Sequence, residues 1–515
     1  MDLSLTQLLA EAARRWGSRV AIRDGDRSLR YEELWDLALR YAEGLRRAGA
    51  RAGDRVAMVL PNGAAFPAVY FAIVALGAAV VPVNIRLAPA EIRAILTAAH
   101  ADLVIATGST QAMTTAAARG ASCRVLVVDA PHAQPADQLA PGPVRLTDIA
   151  RAGADDIAVV MYTSGTTGAP KGAMLTHGNL VLNALITARD VCSYTPRDVV
   201  LGALPLAHSF GQTVVMNAGL SAGATIVVLD HFTAGEALRL MEHHEVTVFS
   251  GVPTMYNALL DAARLRPAPR RLRLATSGGA SLPTAVIDEF ADLFGTDIHE
   301  GYGLTETSPA ATFNQSAYGR RPGSIGHPIW GLDVEIADPA VTDRVALLPP
   351  GEVGELVVRG HAVFAGYLDD AEATAEALHD GWLRTGDLGT TDDDGFISIV
   401  GRKKELIIRG GYNVYPREVE DVIGQHPAIA QVAVIGHPHP YHGEEVVACV
   451  VLRTPVEPST IITWARERLA VYKCPTRIHA MSELPTGPSG KIHKRELADS
   501  IAALDPQPLD RTDLT

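Results

Sequence analysis

The chain has 515 residues, too many for a single hydrophobic core, so two or three domains are expected. Its formal charge of −13 excludes a broad nucleic-acid-binding face, although a local pocket for an anion can still be positive on an acidic protein. The four scattered cysteines, Cys123, Cys192, Cys449 and Cys474, have no metal-ligand spacing and argue for a reducing cytoplasm rather than a disulfide framework.

In chain order, the first residues carry no basic segment followed by an apolar one, so no secretory signal is expected. Helical spacing covers 31–48, and a strand is expected at 55–60. Residues 64–83 are long and uncharged enough to suggest a membrane span. Pro67, Gly77 and Pro82 interrupt them, so a buried helix followed by a strand is expected instead. A further helix is expected at 90–99.

A strand at 157–162 then runs into Thr163-Ser164-Gly165-Thr166-Thr167-Gly168-Ala169-Pro170-Lys171. Glycines there let successive backbone N–H groups face one anion, hydroxyls add donors, and Lys171 adds a mobile positive charge. This is phosphate-gripping chemistry, but not the Walker form, which needs glycine where Pro170 stands. Residues 199–229 are uncharged for most of their length but contain Pro205, His208, Ser209 and Gln212, and read as buried core carrying a loop. Strands at 224–229, 246–250 and 272–277 alternate with a helix at 234–243. That alternation predicts α/β layering, with ligands at the carboxyl ends of the strands.

Three further segments carry chemistry in this half. Gly278-Gly279-Ala280-Ser281 offers bare backbone to a flat ring. Gly301-Tyr302-Gly303-Leu304-Thr305-Glu306 brings an aromatic face, a hydroxyl and a carboxylate together. Thr385-Gly386-Asp387 presents one aspartate after a glycine turn. From about Val334 short strands and turns dominate, and after Gly401-Arg402-Lys403-Lys404 a compact α+β alternation follows. It has a strand near 406–409, a helix from Pro416, strands at 431–435 and 446–452, and a helix from Pro458. A domain boundary is placed at 401/402, giving 1–401 and 402–515, and residues 505–515 are expected to fray. His437, His439 and His442 look metal-like in composition but fall in an expected loop with no acidic cluster to complete a site. Lys491 closes the stiff run Pro485-Thr486-Gly487-Pro488-Ser489-Gly490. Taken singly, each of these motifs has a plain reading as a turn or a solvated charge. Their conjunction in this order is what carries the function.

With those motifs the chain resembles the adenylate-forming superfamily of acyl-CoA synthetases, luciferases and peptide-synthetase adenylation domains, over about residues 5–497. The resemblance implies an α/β fold, with a large N-terminal domain of layered sheets and helices and a small mobile α+β C-terminal domain. It implies ATP, Mg²⁺ and coenzyme A. The loop Thr163, Ser164, Gly165, Thr166, Thr167, Gly168 and Lys171 would hold the β- and γ-phosphates. Gly279, Ala280 and Ser281 would flank the adenine on one side, and Gly301, Tyr302 and Gly303 on the other. Thr305 would donate to the α-phosphate, and Glu306 with Thr163 would bind magnesium. Asp387 and Arg402 would hold the ribose, and Lys404 would be the hinge. Lys491 would bridge the carboxylate and the α-phosphate during adenylation. Gly410, Gly411 and Tyr412 would line the pantetheine channel afterwards. His208 resembles the residue that separates the nucleotide and acyl sites.

The acyl pocket implied is His208, Ser209, Phe210, Val214, Gly278, Gly301, Leu304 and Ala310, with the small residues Ala207 and Gly301 expected to leave it deep or wide. No acidic residue lies between Leu201 and Leu229 to pair an amine, and Gly301 stands where malonate-activating relatives carry arginine. A second carboxylate would then be buried unpaired, which is costly. An apolar monocarboxylic acid is expected, a medium- or long-chain fatty acid first and an aryl or polycyclic acid second. Acyl transfer to a carrier protein and a silent binding module are the competing readings. No nucleic acid and no transmembrane segment are expected.

Overall fold

The computed structural model describes residues 3–128, 139, 148–163, 170–265, 268–487 and 492–504. The described chain divides into two compact units. The first comprises Met1–Leu282, Val286–Val334 and Val358–Arg384, and the second Pro283–Ala285, Glu335–Val357 and Thr385–Thr515.

The first unit is layered α/β, as expected. Its larger sheet has nine strands, of which six form a parallel core in the spatial order Val20–Asp24, Thr225–Val228, Val199–Gly202, Val248–Gly251, Leu274–Ser277 and Ile298–Gly303. Short antiparallel strands close both edges. Helices Ala234–His243 and Pro253–Ala263 bury Leu238, Met241, Tyr256 and Leu259 against Leu201, Val227, Phe249 and Ala275 of that sheet, with Phe290 and Phe294 completing the cluster. Apolar residues on successive parallel strands, covered by apolar helix faces, are what this layering requires.

The seven-stranded sheet runs Gly366–Tyr367, Lys171–Thr176, Ile157–Thr163, Ala79–Pro82, Arg55–Val59, Leu103–Thr107 and Arg124–Val128. The helix Ala65–Ala75 is buried at every position, as an all-round apolar helix must be. It is followed by the buried strand Ala79–Pro82, so residues 64–83 behave as expected. Among the described residues no helix is long and apolar enough to cross a membrane.

In the second unit, the strands Gly443–Leu452 and Ile429–His439 pair antiparallel, and Arg477–Met481 joins the former in parallel. Side chains alternate between two apolar cores. Val434, Val446, Ala448 and Val450 face one with Val419 and Ile423 of the helix Pro416–Gly424. Ala433, Ile435, Val447 and Cys449 face the other with Leu497 and Ile501 of the helix Lys494–Leu504. Both strands are longer than expected. His437 and His439 lie in the strand Ile429–His439 rather than in a loop, because pairing continues through His439 opposite Gly443.

Ile429–His439 is the outer strand of its sheet. The Val434 N–H on it donates to Glu420 Oε1 at 2.7 Å. Lys494 Nζ lies 2.7 Å from the same carboxylate and 3.2 Å from Glu405, which ends the short turn Lys403–Glu405. Burial opposes the Lys494 charge, but Glu420 and Glu405 outweigh it and hold its pKa above the ordinary lysine value.

Candidate functional site

In the first unit, Ile157–Thr163 and Lys171–Thr176 are antiparallel neighbours, with Thr163 opposite Lys171. The phosphate segment therefore joins two antiparallel strands rather than a strand and a helix. Ser164, Gly165, Thr166, Thr167, Gly168 and Ala169 lie outside the described residues, while Thr163 and Lys171 at its two ends are described.

Lys171 meets a partner that the sequence did not suggest. Its Nζ stands over the ring of Tyr367, 5.3 Å from the centroid, within cation–π range. The Tyr367 hydroxyl donates to Glu306 Oε1 at 2.8 Å. The Phe364 N–H donates to the Glu306 carbonyl at 3.0 Å, so main chain and side chain of Glu306 are held by one segment. Burial, and then the Glu306 charge, push the Tyr367 pKa well up, so the phenol remains a donor. Only a long-range contact could reveal Tyr367, since it lies 61 residues beyond Glu306.

Thr305 and Glu306 form a short 3-10 turn that ends at Thr307. Thr307 Oγ1 accepts from the Leu304 N–H at 2.8 Å and donates to the Pro309 carbonyl at 2.5 Å. Behind the turn stands the helix His177–Ile186. Asn183 on it is fully buried and donates to the carbonyls of Ala310, at 2.8 Å, and Thr307, at 3.3 Å. Asn183 is a second residue missed in sequence. Helical spacing from Asn179, which donates to the carbonyls of His361 and Val363, was the available signal.

Gly278 and Gly279 follow the strand Leu274–Ser277, as expected, and Gly279 has φ +82°. Gly279, Ala280 and Ser281 are exposed there. Gly301, Tyr302 and Gly303 lie at the end of the neighbouring strand Ile298–Gly303. The structure brings Gly278, Phe210 and Gly301 together: a Cβ on Gly278 would lie 3.3 Å from Phe210 Cε1 and 3.4 Å from the Gly301 carbonyl oxygen. Gly301 does not widen a pocket in the sense expected. A Cβ there would fall 2.4 Å from Phe313 Cδ2, so the missing side chain makes room for the Phe313 ring.

His208 and Ser209 lead into Phe210–Asn217, an unforeseen π-helical segment that also carries Val214. The His208 Nδ1 accepts from the Phe210 N–H at 3.4 Å, which leaves the ring proton on Nε2. The residue is exposed at its surface, yet the protein mass around it disfavours the imidazolium and lowers its pKa. Gln212 is wholly buried on the same segment, and among the described residues neither its Oε1 nor its Nε2 has a hydrogen-bond partner.

In the second unit, Asp387 stands opposite Arg402 on paired strands, and the Arg402 Nε–H donates to Asp387 Oδ1 at 2.8 Å. Asp387 is buried, and the Gly386 turn before it, at φ +73°, is tied by its N–H to the buried Glu355. Lys404 is exposed in the turn Lys403–Glu405. Gly410 and Gly411, at φ +57° and +86°, form the turn between Ile407–Arg409 and Tyr412–Val414. Both positions favour glycine because a side chain is strained there. Tyr412 is exposed and stacks on Tyr472, with centroids 4.6 Å apart. Lys491 lies outside the described residues. The chain leading to it and away from it is pinned by a bridge between Thr486 and Ile492 and by the His493 N–H donating to the Pro485 carbonyl at 2.8 Å.

The histidine-rich segment gains an acidic neighbour that the sequence did not suggest. His439, His442 and the buried Glu445 offer ligand atoms within 4.8 Å of one another. Two of these residues already have partners. His439 Nδ1 accepts from the N–H groups of Tyr441 and His442, which puts the ring proton on Nε2, and Arg409 lies 3.0 Å from Glu445 Oε2. A metal at Nε2 would need that proton removed and the Nδ1 bonds reversed.

The described residues present one ammonium and one carboxylate on a shared phenol in the first unit and a carboxylate–guanidinium pair in the second. Comparisons with known proteins show the family of the chain. The model of the AMP-binding enzyme family matches residues 9–368, and that of the AMP-binding enzyme C-terminal domain matches residues 418–491. The chain is 39% identical to a feruloyl-CoA synthase of Amycolatopsis sp over 484 residues, covering 93% of this chain and 95% of that one. It is 41% identical to a long-chain-fatty-acid–CoA ligase of Bacillus subtilis (strain 168) over 353 residues, 67% of this chain and 62% of that one. The crystal structure of ATP-bound MatB from Rhodopseudomonas palustris superposes with a TM-score of 0.91 at 33% identity, covering 98% of this chain and 100% of that one.

Proposed function

Because the chain belongs to the AMP-binding enzyme family and is an AMP-forming acid–CoA ligase, we propose that it adenylates an apolar monocarboxylic acid with ATP and passes the acyl group to coenzyme A. A medium- or long-chain fatty acid is the first choice. The observation that carries the adenylation chemistry is the joining of Lys171 and Glu306 through Tyr367.

In the first step a carboxylate oxygen attacks the α-phosphorus of ATP, the bond to the bridging oxygen breaks, and pyrophosphate leaves with its electron pair. Lys171 and the segment from Thr163 to Gly168 hold the leaving phosphates, and Thr305 donates to the α-phosphate. Tyr302 and Gly279–Ser281 flank the adenine, and Asp387 with Arg402 takes the ribose. Lys491 neutralises charge that builds on the α-phosphate and the attacking carboxylate. No covalent enzyme intermediate is required, so catalysis is positioning and charge stabilisation.

A magnesium ion fits the donor set, since Glu306 and the Thr163 hydroxyl are hard oxygen ligands and one or two such groups with waters suffice. When bound it would neutralise phosphate charge. Glu306 keeps one oxygen beyond the one bonded to Tyr367 for that task. In the second step the thiol sulfur of coenzyme A attacks the acyl carbonyl, loses its proton to solvent, and releases AMP. The Gly410-Gly411-Tyr412 turn is assigned to the pantetheine arm, where bare backbone admits a thin ligand. The domain boundary at 401/402 and a hinge at Lys404 belong to the same proposal.

A second reading, an aryl acid bearing polar groups, is favoured by Gln212 on the segment that carries Phe210 and Val214, since its buried amide has no partner among the described residues. A carrier protein as acceptor is the remaining alternative. The test is mass spectrometry of products from mixed fatty and aryl acids with ATP, Mg²⁺ and coenzyme A. An acyl-CoA and AMP are expected. Adenylate without thioester would favour the carrier protein, and no acid-dependent pyrophosphate would overturn the proposal.

A further inference from the structure

Lys171 and Glu306 carry opposite charges into one neighbourhood, and both reach it through Tyr367. Among the described residues no direct ion pair joins them. The ammonium sits over the ring face and the carboxylate takes the hydroxyl, so one phenol serves both charges at different ends.

The ring itself is fixed from several sides. Gly366–Tyr367 pairs antiparallel with Lys171–Thr176, with Tyr367 opposite Ala173. The Tyr367 N–H donates to Thr374 Oγ1 at 2.9 Å, and the Leu368 N–H donates to the Gly172 carbonyl at 2.8 Å. Phe364 packs edge-on at 4.8 Å between centroids. These bonds tie the phenol both to the strand that begins at Lys171 and to the turn that holds Glu306.

A lysine and a carboxylate that meet directly attract each other and neutralise both groups. A lysine paired in that way is lost to phosphate, and a carboxylate paired in that way is lost to a metal. We propose that Tyr367 is a positioning residue that keeps Lys171 and Glu306 apart and oriented, reserving the lysine for phosphate and the carboxylate for the metal carried by ATP. This rests on the assignment of Lys171 and Glu306 to ATP and magnesium.

The experiment uses the full chain with Tyr367→Phe, which keeps the ring and loses the hydroxyl, and Tyr367→Leu, which loses both. Three quantities are measured: ATP binding by calorimetry with and without Mg²⁺, the Mg²⁺ dependence of pyrophosphate release, and coenzyme A transfer from supplied acyl-adenylate. For Tyr367→Phe, half-saturating Mg²⁺ should rise on the order of tenfold, the loss of one hydrogen bond to a charged group. Its metal-free ATP affinity and its transfer step should stay within about twofold. For Tyr367→Leu, metal-free ATP affinity should also fall, and adding Glu306→Gln should restore it by freeing Lys171. An unchanged Mg²⁺ dependence in Tyr367→Phe, or equal loss in both half-reactions, overturns the proposal. Lys171→Met and Glu306→Gln alone separate the two levels. If the first leaves ATP binding intact and the second leaves the metal dependence intact, the assignment of the site fails before Tyr367 is in question.

Discussion

His177 opens the helix that braces the Thr305–Glu306 turn, and its buried Nδ1 accepts from the Leu5 N–H at 3.1 Å. Burial lowers its pKa from the ordinary 6.5 to about 4. The folded-state pKa is the depressed one, so the neutral ring contributes its full stability above pH 6.5. That contribution is lost as pH falls towards 4, because only the unfolded chain takes up the proton in that window. The loss amounts to roughly 3 kcal/mol at most. His177→Gln is expected to flatten the fall in melting temperature between those pH values, read by thermal unfolding. Gly301→Ala tests a second residue: its Cβ would meet Phe313 Cδ2 at 2.4 Å. Overpacking of this kind costs about 1–3 kcal/mol and should appear as a lowered denaturation midpoint. Thr305, Glu306 and Asp387 were legible in the sequence because their motifs are local. Tyr367 was not, because its partners come from strands and turns that only folding brings to it. The small size of Gly301 was visible, but not that Phe313 fills the space.

At the scale of elements, Ala234–His243 and the helix from Pro416 start where the sequence places them, because proline or a Thr cap precedes a clear apolar stripe. The strands of the small sheet extend further than their apolar runs, since pairing tolerates His437 and His439 at a hairpin end. The π-helical turn at Phe210–Asn217 leaves no periodic signature that short windows resolve, and it reads as a loop in sequence. The helix His177–Ile186 offers a test. Asn183→Leu removes the donors to Thr307 and Ala310 while keeping volume. It should cost about 1–3 kcal/mol of stability by leaving buried carbonyls unpaired. Because the same bonds brace the Thr305–Glu306 turn, pyrophosphate release should fall more than transfer from supplied adenylate, which parallel assays of the two half-reactions would read.

At the scale of the whole molecule, the two units each carry part of the proposed chemistry. The first holds Lys171, Glu306 and the glycine-lined strand ends, and the second holds Asp387 with Arg402 and the Gly410–Gly411 turn. Lys491→Ala is expected to lower adenylation on the order of 10²–10³-fold. Coenzyme A attack on supplied adenylate should continue, and stopped assays of each half-reaction would show the split. The α/β character of the chain was legible from alternation alone. Residues 335–357 and 385–401 group with the second unit, and these two segments share one sheet through strand pairings far apart in sequence, which local alternation does not carry.

The small sheet ends on a strand whose outward N–H groups would be open to another chain, and such an edge invites strand addition and fibrous association. At Val434 that opening is closed by Glu420, whose charge is in turn held by Lys494. A charged plug on an outer strand is a solubility device. Removing both of its members is expected to bare the Val434 N–H, an opening that suits pairing with a strand from another chain.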